Sequence, residues 1–245
     1  MDRADREKWA RHMSQVNKTQ ETSTNETGDF SKKKLMRAHM LPRWTALIGI
    51  LATGVIYLFL PEKLIIGPSW LLLAIEGVLI APFAVAWLAG YHLPHFTIRL
   101  LALVLLGVVT IVLAIGLALL IQTLPENNHA INLLQSAGLL WGLNVLVFAL
   151  WYFEIDGGGP LKRHLAGYKP VDFVFPQQQD QPFNTDEHWC PLFFDYLFLA
   201  FTGATALSPA DTFPLTRRAK MLMMVEALLS MTIIILLAAR AVNIL

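Results

Sequence analysis

Two carboxylates stand in stretches whose other residues suit a lipid interior. Glu76 lies within the apolar run Ser69 to Gly90, and Glu226 lies within the last apolar run of the chain. A carboxylate at the centre of a membrane helix costs roughly 2.5 to 3.5 kcal/mol on insertion scales, so each is expected to face protein or water. Glu226, Ser230, Ile233, Leu237 and Arg240 follow a 4,3,4,3 spacing and share one helix face. Two chemistries fit that face. Lining an axis between several copies, Glu226 forms a ring of acid that attracts cations, with Ser230 beside it. Turned into its own bundle, it pairs there, or is protonated and hydrogen-bonded to a polar neighbour such as Asn144 or Gln135.

Just before that helix, the apolar segment Asp195 to Phe201 leads into a polar elbow, Thr202 to Thr216. The pattern predicts a short re-entrant helix, a loop at membrane depth and a full terminal span. Irregular backbone inside a bilayer is tolerated only where protein or water satisfies its polar groups. Thr205, Ala206, Leu207, Ser208, Pro209, Ala210 and Asp211 are thus the candidate constriction of a pathway. A plainer reading stands beside it. Ser208-Pro209-Ala210-Asp211 has the form of a capping box, and Thr216 is placed to cap the terminal helix.

The order of pore helix, loop, Asp, aromatic, Pro, Thr, basic residue and inner helix resembles the pore domain of potassium channels. Thr205 to Thr216 lies over the channel pattern T-T-V-G-Y-G-D-x-Y-P-x-T. Thr205, Asp211, Pro214 and Thr216 match, Phe213 keeps an aromatic place, and Lys220 stands where channels often carry a basic residue. The resemblance implies a homotetramer with four elbows around an axis. The phrase through Ala238-Ala239-Arg240-Ala241-Val242-Asn243 also resembles a family of uncharacterised bacterial membrane proteins, which implies no activity. The departure falls on the filter. Its glycines permit the backbone angles that aim carbonyls at an ion, and here Ala206 to Ala210 contain none, with Pro209 fixing φ. A potassium-selective filter is not expected. The terminal helix also lacks a glycine hinge.

Other chemistry is poorly supplied. Cys190 is the single cysteine, so no intrachain disulfide or cysteine cluster can form. Asp186, Glu187, His188 and Cys190 carry ligand atoms, yet neighbours in one loop rarely converge on one ion, and a solvated loop is expected. No nucleophile with a base and no phosphate loop is present, so the chain is not expected to be an enzyme or to hold a cofactor or metal. A proton-coupled carrier using Glu76 and Glu226 would be expected to show paired broken helices, and one broken element is seen.

These residues need a frame to hold them. Of 245 residues, 55% are hydrophobic and 15% charged, the composition of an all-α integral membrane protein. A net charge of +1 points to no nucleic-acid partner. Residues 1–43 read as a disordered basic tail, with ten of the chain's nineteen Lys and Arg. Lys32 to Arg43 reads as a positive-inside anchor beside membrane lipids. No cleavable leader is expected, because the first apolar run begins at Trp44. Residues 44–153 hold four spans, Trp44 to Leu60, Ser69 to Gly90, Leu100 to Ile121 and Ile131 to Phe153. Trp44, Trp70, Trp87, Trp151 and Tyr152 sit near span ends, where the headgroup layer favours such rings. Residues 154–191 form a polar connection, expected to be an ordered cap over the re-entrant unit, and 192–245 complete five transmembrane helices plus one re-entrant helix.

Charge places the tail, the connection and Arg217, Arg218 and Lys220 in the cytoplasm. The expected location is a bacterial inner membrane, with the elbow inserted from the cytoplasmic side, inverted relative to ordinary potassium channels. The expected function is an oligomeric cation-permeable pore, conducting monovalent cations without potassium selectivity. The alternative is a non-conducting membrane assembly or interaction protein that keeps the same fold.

Overall fold

Uninterrupted apolar runs make long helices here. The computed structural model describes residues 48–65, 67–88, 95–123, 130–167, 169–179, 189–205 and 212–242. The basic tail, Ala206 to Asp211 and Asp186 to His188 lie outside that set. The described chain is mostly helical: α1 (Ile48–Leu58), α2 (Leu71–Leu88), α3 (His95–Thr123), α4 (Ala130–Ile155), α5 (Pro160–Leu165), α6 (Phe193–Ala204) and α7 (Arg217–Val242). Two short strands, β1 (Phe173–Val174) and β2 (Phe213–Pro214), pair antiparallel.

Among the described residues three helical stretches are long and apolar enough to cross a membrane, at 99–123, 131–158 and 217–239. At 1.5 Å per residue the 29 residues of α3 extend about 43 Å. The 12 residues of α6 extend about 18 Å, well short of a hydrocarbon core of about 30 Å.

The centre of the bundle is α4, which packs against α3, α6 and α7. Two apolar clusters divide it. Leu133, Leu140, Leu143 and Val147 join α1, α2 and α3 residues such as Tyr57, Leu72 and Leu113. Phe148, Tyr152 and Phe153 join Phe173, Phe175, Tyr196 and Leu199. Tyr152 therefore does not sit in an interfacial belt: it is fully buried, because α6 and the connection cover that end of α4. Trp151 reaches α3, donating its indole N–H to Thr110 Oγ1 at 2.8 Å.

Beyond α4 the chain turns through Gly157, Gly158 and Gly159, with φ of 60°, 83° and 100°. Only glycine takes such angles freely, which is why α4 ends there and Pro160 can open α5. This turn brings the connection back over the end of α4.

Candidate functional site

The connection forms a polar shelf at the end of α4, and both ends of the α6–elbow stretch are tied to it. Asp156 is its first hub. Its Oδ1 accepts from the backbone N–H of Asp172 at 3.1 Å and Phe173 at 3.4 Å, and its Oδ2 accepts from the Tyr196 hydroxyl of α6 at 2.5 Å. Arg163 donates to the carbonyls of Phe153 at 2.6 Å and Asp156 at 2.9 Å. Its guanidinium lies against the rings of Phe153 and Tyr196, 4.9 and 5.0 Å from their centroids. Cation–ring attraction gains strength in such a dry place.

Asp172 is the second hub, and it holds α7. Arg218 grips its carboxylate with two bonds of 2.6 Å, Thr216 donates at 2.5 Å and the Gly157 N–H donates at 3.0 Å. The backbone adds Leu215 N–H to the Asp172 carbonyl at 2.8 Å, next to the β1–β2 pair. Thr216 also caps α7, its oxygen accepting from the Ala219 N–H at 3.4 Å. Asp172 is fully buried while Arg218 is half exposed, so the pair is a buried acid closed by a lid-like cation.

Burial of Asp172 works against its charged form, yet the hydrogen bonds from Arg218, Thr216 and Gly157 outweigh it and hold the carboxyl below its ordinary range. The sign follows from linkage. A depressed folded value stabilises fully above the unfolded carboxylate value near pH 4, and that contribution disappears as pH falls through the folded value. Thermal melting of the purified protein from pH 7 down to pH 3 should therefore show a loss of stability beginning at about pH 4. Asp172→Asn should start less stable and show a shallower loss in that window; parallel curves would remove Asp172 as its source.

Deeper in the bundle lies Glu226, with Ser230 one turn on. Within one chain neither opens onto a cavity: both side chains are fully buried, facing α4. The Tyr152 hydroxyl donates to Glu226 Oε2. Asn144 donates to Ser230 Oγ at 2.7 Å and to the Glu226 carbonyl at 3.4 Å. The reason is packing on two sides. Polar side chains of α4 offer partners, and Gly203 lets α6 close in, since a Cβ there would lie 2.9 Å from Glu226 Oε2. The shared face of Glu226, Ser230 and Ile233 is real, but it is the packed face of α7. Gln135, the other candidate partner, is exposed and lines a cavity of about 320 Å³ with Lys63, Thr123 and Asn132.

Glu76 pairs α2 with α1. Its Oε1 lies 2.7 Å from Thr53 Oγ1, which is also 2.6 Å from the Ile50 carbonyl. The Thr53 hydroxyl is the donor, its one proton shared between the Glu76 carboxyl and the Ile50 carbonyl. Gly54 admits the carboxyl, because any side-chain carbon there would collide with it.

Of the expected constriction only Thr205 is described. It ends α6, and its hydroxyl turns back to the carbonyls of Phe201 at 2.9 Å and Thr202 at 3.2 Å. The Trp141 indole of α4 donates to the neighbouring Ala204 carbonyl at 3.5 Å. Ala206, Leu207, Ser208, Pro209, Ala210 and Asp211 lie outside the described residues, and so does the capping box at Ser208. Among the described residues no group of three or more His, Cys, Asp or Glu could hold a metal ion.

Sequence reasoning found Thr216 as the cap of α7 and missed the shelf hubs Asp156, Asp172 and Arg163, with Tyr152 and Thr53 as partners of the buried acids. A signal existed for the shelf in Asp156-Gly157-Gly158-Gly159-Pro160, where an acid directly before a forced turn is placed to receive the returning backbone. No family model matches this chain, and no curated protein or solved structure matches it either.

Proposed function

We propose that the protein is an oligomeric membrane pore, permeable to cations and not selective for potassium, built on five spanning helices with α6 as a re-entrant helix. The supporting observation is that one shelf holds both ends of the stretch from α6 to β2. Tyr196, in the first turn of α6, bonds Asp156, and β2 pairs with β1 a few residues away. Between them α6 runs about 18 Å inward, and the chain has returned by Phe213. A stretch that leaves and rejoins one level is re-entrant in form, as in the potassium-channel pore it resembles. Thr205, at the end of α6, then stands at the deep end, where four copies would form the constriction. Apolar side chains exposed on α6 and α7, such as Phe194, Phe198, Met224, Leu228 and Met231, suit lipid or neighbouring copies.

One observation favours the non-conducting assembly as a second reading. Glu226 and Ser230, the natural charge for a cavity, are spent inside the protomer, leaving the exposed face of α7 apolar. Cation flux into liposomes, with oligomer mass measured on the same sample, separates the two. The pore reading expects a tetramer, flux of sodium and potassium at similar rates, and strong reduction by Thr205→Trp at the end of α6. A tetramer without flux under varied voltage, pH and lipid gives the second reading, and a monomer overturns both.

A further inference from the structure

Among the described residues, two polar atoms of the Glu226 network have no partner. Glu226 Oε1 and Asn144 Oδ1 are both buried and both lack a hydrogen bond, although the residues' other polar atoms are well satisfied. Each is an acceptor when Glu226 is ionised. Two orphan acceptors in one dry network, one of them charged, is an expensive arrangement, because a buried carboxylate needs either a cation or several donors. One proton changes the count. It converts Oε1 from an acceptor into a donor, and Asn144 Oδ1 is the free acceptor in the same network, on an amide whose nitrogen already lies 3.4 Å from the Glu226 carbonyl.

Among the described residues the surroundings offer the charge no other relief. From α4 the titratable group facing Glu226 is Tyr152, with Asn144 beside it. From α6 it meets Gly203, and on α7 itself Ser230 lies one turn on. Arg217, Arg218 and Lys220 are six or more residues nearer the shelf, about 9 Å or more along the helix, and Arg218 is engaged by Asp172. The ionisable residues of α3, His95 and Arg99, stand in its first turns, where Arg99 approaches Gly158. A metal cation fits poorly, since hard cations take six or more oxygens, and Oε2 is already closed off by Tyr152 and Gly203.

We propose that Glu226 is a reversible proton-binding site in the interior of the bundle, loaded while α6 is seated on α7 and emptied when the two part. The binding step is simple: a proton from water joins Oε1, giving a neutral acid that donates to Asn144. Gly203 makes the link mechanical. Its position leaves no space between α6 and the carboxyl, so water can solvate an ionised Glu226 only if the end of α6 moves. The inference is independent of ion permeation.

Infrared spectroscopy of the whole protein in liposomes tests it, with amide hydrogen exchange on the same preparation. At neutral pH a carboxylic-acid carbonyl band is expected that Glu226→Gln removes and Glu76→Gln leaves in place. Raising the pH should abolish that band, and exchange at α6 amides, corrected for intrinsic rates, should accelerate in the wild type and not in Glu226→Gln. Tyr152→Phe keeps the acid while removing its hydrogen bond, so the band should move to higher frequency; this variant also serves if Glu226→Gln fails to fold. Carboxylate bands alone at neutral pH would overturn the proposal, as would an unmoved band in Tyr152→Phe. Loss of the acid band on adding sodium at fixed pH would assign the site to a metal cation instead, and pH-independent α6 exchange would refute the coupling.

Discussion

Asp172→Ala is expected to lower the unfolding free energy by about 3 kcal/mol, the scale seen when one partner of a buried charged network is removed. The substitution deletes the acceptor of four hydrogen bonds at once, from Arg218 twice, Thr216 and the Gly157 N–H. Arg218 can return to water, being half exposed, so the cost falls mainly on Gly157 and Thr216. The bond from Leu215 N–H to the Asp172 carbonyl survives, and with it the β1–β2 pair, so the shelf should loosen rather than dissolve. Arg218→Ala should cost less than Asp172→Ala, because Thr216 and Gly157 still serve the acid. Denaturant or thermal unfolding of the three proteins in one detergent checks the order, and equal losses would mean that the ion pair alone holds the shelf.

Gly203→Val should cost about 2 to 3 kcal/mol, the upper part of the range for overpacking a filled interior. A Cβ at Gly203 already lies 2.9 Å from Glu226 Oε2 and 3.5 Å from its Cδ, and Tyr152 restrains that carboxyl from moving aside. Valine adds two further methyls and so must lift the end of α6. The control is Gly107→Val on α3, where an added Cβ meets nothing within 4 Å; it should change stability by less than about 1 kcal/mol. Combining Gly203→Val with Glu226→Ala should restore part of the loss, since truncation removes the atoms in collision. A Gly203→Val melting curve like that of Gly107→Val would show that α6 is not seated on α7.

The helices were legible where composition alone decides. Residues 100–121 and 131–153 appear inside α3 and α4 because no charge or proline interrupts them, and α6 extends the expected segment by two residues at its start and three at its end. The 4,3,4,3 spacing correctly grouped Glu226, Ser230 and Ile233 on one face, since helix geometry fixes that. Which way the face turns depends on what the neighbouring helices offer. Tyr152 stands 74 residues from Glu226 in sequence, and its place at a span end reads equally well as an interfacial ring. The connection reads as an ordered cap, but its hubs were hidden for the same reason: Asp156 and Asp172 look like ordinary loop acids until the glycine turn folds their partners onto them. Asn144 could be named, with Gln135 as the alternative, because an amide in an apolar span needs a partner, and polar candidates in the last helix are few.

The long separations within these networks bear on biosynthesis. Asn144 and Tyr152 are made with α4, but their partners Ser230 and Glu226 follow 86 and 74 residues later. Asp172 likewise precedes Thr216 and Arg218 by 44 and 46 residues. A nascent chain that ends before α7 therefore carries two unmatched polar side chains on α4 and an unmatched acid in the following loop. The last helix completes all three sets together, so a chain that stalls before α7 displays uncompensated polar groups that mark an unfinished molecule off from a finished one.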